Sequence, residues 1–171
     1  MFGYVWKKLY FCSQIVIMNN MDAVMMAGRV TPDNIRSLEP GQIFVFGSNA
    51  NGFHGGGAAA AAVRLFGAVY GQGDGLQGQS YAISTMEGMA AMRDNVNRFI
   101  AFAREHPELT FLVTRIGCGI AGYTADEVAP LFHDALGVGN IWLPGEFWKV
   151  LVGNEDAGKF SSWNKEKSRS V

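Results

Sequence analysis

The sequence predicts an α/β fold: a three-layer α/β/α sandwich with a mixed sheet that is parallel at its centre. Short segments rich in β-branched and aromatic residues alternate with segments of helical character. Two glycine-rich loops each follow a predicted strand and precede a predicted helix. In open α/β sheets that edge is where ligands bind. The length of 171 residues favours a single domain.

In the first half of the chain, Thr31 followed by Pro32 predicts a short helix that ends at Pro40. QIFVFGSN predicts the first strand. GGGAAAAAVRLFGA predicts a loop that runs into a helix, because alanine favours helix. YGQGDGLQGQ has no apolar periodicity and is predicted to be a loop, and SYAIST is predicted to be the second strand.

In the second half, apolar residues recur at helical spacing in NVNRFIAFAREHPE, which predicts an amphipathic helix. LTFLVTRI is typical of a strand with both faces buried. TADEVAPLFHDAL predicts a helix with a capping box of Thr124 and Glu127, kinked or divided at Pro130. NIWLP predicts a fourth strand, and EFWKVLV is interpreted as a further one.

Composition excludes several classes of function. The net charge is -1 without a long basic run, which argues against an electrostatic nucleic-acid binder. Two cysteines make neither a disulfide framework nor a metal cluster, so a cytoplasmic location without cofactor or metal is expected. No apolar run is long enough to cross a membrane. Residues 1–20 are interpreted as an N-terminal extension, 21–153 as the domain and 154–171 as a polar tail.

The two glycine-rich loops, within FGSNANGFHGGG and GCGIAGY, favour phosphate binding. A loop that enters a helix N-terminus offers unpaired N–H groups and the positive end of the helix dipole. Other phosphate motifs fit less well, since no G-x-x-x-x-G-K-[ST] occurs. GDGLQG matches G-x-G-x-x-G but leads into a strand, which disfavours a Rossmann dinucleotide site.

Several side chains in these loops have two interpretations each. His54 is a general acid/base or phosphate donor, or a plain loop histidine. Asp74 orients a water or a ribose hydroxyl, or only makes a turn. Cys118 is a nucleophile activated by a nearby helix N-terminus, or a small residue that fits a tight loop. Arg115 binds phosphate or forms a surface ion pair. The loop glutamines contact a ligand or bond within their own loop: Gln72, Gln77 and Gln79.

Two of these stretches resemble a known family. FVFGSNANGFHGGGAAAAA resembles the first ligand loop of macro domains, and TRIGCGIAGYTADEVAPLF resembles their second. SYAIST resembles the strand between them. The span from Ile43 to Pro144 is also similar to a group of macro-domain-like proteins of bacteria and phages. The resemblance implies binding of ADP-ribose or a related NAD-derived nucleotide, free or attached to a protein.

The resemblance also implies a set of ligand contacts. Asn49 and Asn51 would contact the distal ribose, and Tyr123 would stack near it. The glycine triplet would line that ribose and the diphosphate, and the second loop would wrap the diphosphate. The full set of predicted ligand-binding residues also includes Gly47, Ser48 and Arg115: Gly47, Ser48, Asn49, Asn51, Gly55, Gly56, Gly57, Arg115, Gly117, Cys118, Gly119, Ile120, Ala121, Gly122 and Tyr123.

Three functions follow as alternatives. The first is a module that binds the nucleotide, favoured because alanines follow Gly57 where hydrolytic macro domains often carry an acidic residue. The second is a hydrolase that cleaves at the distal ribose C1″, with Asn49 and Asn51 positioning the ribose and His54 or Asp74 handling the water. The third is an interaction protein that binds no nucleotide. Neither nucleic acid nor membrane is an expected partner.

Overall fold

The structure is a computed structural model of the chain, and it describes residues 28–152. The chain divides into two units, Met1–Val30 and Thr31–Val171, and every element given below lies in the second. The predictions for residues 1–20 and 154–171 fall outside the described residues.

The centre of the fold is a five-stranded mixed sheet in the order β2-β3-β1-β4-β5. β3, β1, β4 and β5 run parallel, and β2 pairs with β3 in the antiparallel sense. The strands are β1 (Gln42–Ser48), β2 (Gly75–Gln77), β3 (Ser80–Ser84), β4 (Thr110–Val113) and β5 (Ile141–Trp142). The predicted α/β class and the mixed, mostly parallel sheet are confirmed.

The helices are α1 (Gly57–Leu65), α2 (Met89–Glu105), α3 (Ala125–Val128) with a 3₁₀ helix over Ala129–Ala135, and α4 (145–152). The predicted capping box opens α3, since Thr124 Oγ1 accepts from the Glu127 N–H at 3.3 Å. Glu127 Oε2 accepts from the Thr124 N–H at 2.8 Å. The break predicted at Pro130 is also confirmed, because there the α-helix gives way to the tighter 3₁₀ form.

Aromatic side chains attach the two long helices to the sheet. At the C-terminal end of α1, Phe66 packs on Phe44 of β1, with 4.8 Å between the ring centroids. The α2 ring of Phe99 lies 5.1 Å from that of Tyr81 and 5.4 Å from that of Phe111. Tyr81 pairs with Val45, the residue that follows Phe44 in β1. Since successive strand residues point to opposite faces of a sheet, Phe44 and Tyr81 pack against different helices.

The helix predicted between Thr31 and Pro40 is wrong, because this segment is irregular. Thr31 Oγ1 is buried without a hydrogen-bond partner, so it caps nothing. Its N–H instead donates to the Leu143 carbonyl at 2.9 Å. Asn34 has a left-handed φ of 56°, which no helix accommodates.

Two further elements differ from the prediction. β2 lies within the segment predicted to be a loop; it has only three residues and pairs through its backbone, so it leaves no apolar pattern. EFWKVLV is helical rather than a strand, since the N–H groups of Phe147 and Trp148 both donate to the Pro144 carbonyl. The buried residues Phe147 and Leu151 stand four apart, which is helical spacing.

We predict that Phe99→Ala lowers the free energy of unfolding by about 3–5 kcal/mol, the usual cost of an aromatic-sized cavity in a core. Phe99 is fully buried among Tyr81, Phe111 and Phe132. Urea unfolding of the wild type and the variant measures the loss. Phe99→Leu keeps more of the volume and should lose less, so equal stability of all three proteins would contradict this packing.

Candidate functional site

The carboxyl ends of β1, β3 and β4 meet at one edge of the sheet. A methyl group added at Gly47 would lie 3.3 Å from Thr85 Oγ1 and 3.5 Å from the Gly117 nitrogen. The Ser48 carbonyl accepts from both the N–H and the hydroxyl of Thr85, at 3.0 and 3.2 Å. The structure therefore brings the starts of both predicted ligand loops together.

The first loop, residues 49–56, is closed by the side chain of Asn49. The Asn49 amide donates to the Phe53 carbonyl at 3.0 Å, and its oxygen accepts from the Phe53 N–H at 3.1 Å. Asn51, at the tip of this turn, is exposed, and its side chain makes no hydrogen bond within residues 28–152. Of the two asparagines assigned to ribose, Asn51 is the one with an uncommitted amide.

Some glycines near this loop serve backbone packing. Gly52 has a φ of +66°, and a Cβ there would lie 2.4 Å from the Gln72 nitrogen. A Cβ on Gly73 would lie 2.0 Å from the Asn49 carbonyl oxygen. Real Cβ atoms do not approach backbone so closely, so the first loop and the loop of residues 71–74 require glycine at these contacts.

Gly56 and Gly57 of the triplet differ, because they face open space, although the φ of +53° at Gly57 also favours glycine. A Cβ on Gly56 or Gly57 would meet nothing within 4 Å. Gly56 is the N-cap of α1 and provides no side-chain cap. Within the described chain, the N–H groups of Gly55, Gly56, Gly57 and Ala58 donate no hydrogen bond. They leave the positive end of the α1 dipole open to an anion.

The second loop, residues 117–123, turns tightly between β4 and α3. Gly117 has a φ of +72°, and its carbonyl accepts from the Tyr123 N–H at 3.0 Å. In the part of the chain that the structure describes, the N–H groups of Gly119, Ile120 and Ala121 donate no hydrogen bond. The Ile120 side chain is 86% exposed. Like the triplet, this loop therefore presents unpaired N–H groups.

His54 lies beneath the first loop and is only 1% exposed. Its Nε2 is 2.9 Å from Ser48 Oγ, and its ring meets Phe46 edge-on at 5.0 Å between centroids. Nδ1 is buried and has no partner among the described residues. Burial lowers the pKa of His54 below its ordinary 6.5. Such an imidazole stays neutral near pH 7 and stabilises the end of β1.

The Asp74 carboxylate is engaged in an ion pair. Its Oδ2 lies 3.0 Å from the Arg98 guanidinium, which also donates to Asn95 Oδ1 at 2.8 Å. Asn95 in turn donates to the Ser84 carbonyl at 2.8 Å. Asp74 therefore anchors the loop before β2 to α2. The loop glutamines bond to backbone carbonyls within their own segment or nearby: Gln72, Gln77 and Gln79.

Arg115 and Cys118 stand on either side of Gly117. Arg115 forms an ion pair with Glu146 at 2.9 Å, and both side chains are about half exposed. Burial raises the pKa of the Cys118 thiol, with nearby Arg115 opposing that rise. The thiolate that a nucleophile needs is therefore disfavoured.

No match was found when the chain was compared with protein-family models, curated proteins and solved structures. The likeness to macro domains accordingly stays a prediction. Within residues 28–152, no group of three or more His, Cys, Asp or Glu residues could hold a metal ion. No helix among these residues is long and apolar enough to cross a membrane.

Glu87, just after β3, is the residue of this edge that sequence reasoning missed. Its carboxylate accepts from the Ala50 N–H at 2.6 Å, from the Met86 N–H at 3.2 Å and from the Ser84 hydroxyl. Desolvation alone would raise the pKa of Glu87, but these hydrogen bonds bring it below its ordinary value. Glu87 thus ties the first loop to β3 across 37 residues of sequence. No local motif marks it.

We predict that Glu87→Gln lowers the free energy of unfolding by about 1 kcal/mol at pH 7, because an amide cannot accept all three hydrogen bonds. Since the folded-state pKa is depressed, this stabilisation is present above the ordinary pKa of 4.5 and is lost as the pH falls through the folded value. Urea unfolding at pH 7 and pH 4 measures both effects. Glu105→Gln, on an exposed carboxylate at the end of α2, is the matched control.

We also predict that His54 makes the protein less stable in mild acid. Below pH 6.5 the unfolded chain binds a proton at this imidazole, whereas the folded chain, with its lowered pKa, does not. Stability therefore falls as the pH drops from 6.5 towards the folded pKa. Unfolding measured at pH 8 and pH 5 should show a smaller loss for His54→Gln than for the wild type, and equal losses would refute the assignment.

Proposed function

We propose that this chain is a macro-domain-like protein, a three-layer α/β/α sandwich that binds ADP-ribose or a related NAD-derived nucleotide between its two glycine-rich loops. The observation that carries the proposal is the set of unpaired backbone N–H groups on both loops, at Gly55–Ala58 and Gly119–Ala121. The pairing of β1 with β4 places the two loops beside each other.

Diphosphate is the chemistry that this arrangement suits. Its oxygens accept hydrogen bonds from backbone N–H groups, and its charge is stabilised by the N-terminus of the nine-residue helix α1. Glycines that face open space let a ligand approach the backbone closely. The uncommitted amide of Asn51, at the tip of the first loop, would contact the distal ribose.

Binding is better supported than hydrolysis. The side chains proposed to handle water are engaged elsewhere: His54 is buried against Ser48, and Asp74 is paired with Arg98. We therefore propose a reader or sequestering module that acts on the free nucleotide or on an ADP-ribosylated protein. A cytoplasmic location belongs to the same proposal.

The test is calorimetric titration with ADP-ribose of the wild type and of Gly56→Glu. A Cβ at Gly56 would meet no heavy atom within 4 Å, so we expect the variant to fold normally. Its carboxylate would stand at the diphosphate and should weaken binding about a hundredfold. Gly139→Glu makes the same change at another glycine that faces open space, away from both loops, and should bind as the wild type does.

The outcomes separate the alternatives. The nucleotide site is supported if the wild type and Gly139→Glu bind ADP-ribose saturably and Gly56→Glu does not. Release of free ADP-ribose from an ADP-ribosylated protein would favour the hydrolase instead. The absence of heat from ADP-ribose in a protein shown to be folded would overturn the proposal and leave an interaction protein.

A further inference from the structure

A cavity of about 670 Å³ runs along α1. The helix contributes Gly57, Ala58, Ala61, Arg64 and Leu65, whose spacing places them along one side of the helix. The irregular segment of residues 31–36 and the end of β4 complete the walls. Because Gly57 directly follows the first loop and Arg115 lies two residues before the second, the cavity borders the proposed diphosphate site.

The walls of the cavity carry more positive than negative charge. Arg36, Arg64 and Arg115 line it, against the single carboxylate of Asp33. Arg115 is paired with Glu146. Arg36 and Arg64, in contrast, form no ion pair and no side-chain hydrogen bond with any residue of the described chain. Two arginines of the cavity wall are therefore not engaged in an ion pair.

The position of Arg64 separates this charge from the diphosphate site. Arg64 lies seven residues after Gly57, which corresponds to about 10 Å along the helix axis. A ligand with its diphosphate at Gly57 would thus meet a second positive group at the other end of the cavity.

We propose that Arg36 and Arg64 bind a phosphate monoester on the adenosine ribose, so that the preferred ligand class is an ADP-ribose-type nucleotide phosphorylated at its 2′ or 3′ hydroxyl. This inference rests on the proposed function. Adenosine itself is uncharged and would leave both guanidinium groups unpaired. A phosphate monoester carries nearly two negative charges and matches the planar fork of arginine.

The experiment titrates the full-length protein with ADP-ribose and with 2′-phospho-ADP-ribose. We expect the phosphorylated nucleotide to bind about tenfold more tightly, as is usual for a charge-assisted contact. Arg36→Gln and Arg64→Gln should each reduce that ratio, and the double variant should bring it close to one. Adenosine 2′,5′-bisphosphate and adenosine 3′,5′-bisphosphate then show which hydroxyl carries the recognised phosphate.

Arg93→Gln is the matched control, because Arg93 is an exposed arginine of α2 that does not line the cavity. It makes the same change in net charge and should leave the ratio unchanged. The inference would be overturned if the wild type bound the two nucleotides with equal affinity, or if the double variant still preferred the phosphorylated one. In either case, binding of ADP-ribose would still support the proposed function. Failure of both nucleotides to bind would overturn both.

Discussion

Two threonines hold the carboxyl end of β1, and the arrangement of both loops depends on them. The Val45 carbonyl accepts from the N–H and the hydroxyl of Thr114, each at 2.9 Å. The Ser48 carbonyl accepts from the same two groups of Thr85. Each threonine follows a strand that neighbours β1, so the central strand is secured from both sides. A buried carbonyl that accepts two hydrogen bonds is costly to displace, so this edge is a fixed base for both loops.

The glycines around this edge divide into two physical classes. Gly52 and Gly73 allow one backbone segment to lie against another, and any side chain there would collide with main-chain atoms. A Cβ on Gly56, Gly57 or Gly119 would meet no atom within 4 Å, and of these three only Gly57, with a φ of +53°, also needs glycine for its backbone conformation. The sequence alone does not distinguish a glycine that is needed for backbone packing from one that faces open space. The second class is the one that leaves backbone N–H groups accessible, and the proposed site is built from it.

The polar side chains of the edge mostly serve architecture. His54 hydrogen-bonds to Ser48 under the first loop, Glu87 joins that loop to β3, and Asp74 joins the loop before β2 to α2. Each of these contacts joins two polar groups of the chain that the fold places next to each other. In the proposed site, recognition would rest on backbone donors and on the arginines of the cavity along α1, an arrangement suited to holding an anion rather than to moving a proton.

The sequence by itself determined the α/β class, the long strand β1, the helices α1 and α2, the capping box at Thr124 and the place of both glycine loops. These features arise from local periodicity, alanine content and cap chemistry, which act over a few residues. Only the tertiary structure decided that EFWKVLV is a helix, that GLQ is a strand, and that Thr31 opens no helix. It also decided the bond between Glu87 and Ala50, the burial of His54 and the cavity beside Arg36 and Arg64. Apart from the helical spacing of Phe147 and Leu151, these features depend on which distant segments pack together, and local sequence does not specify that packing.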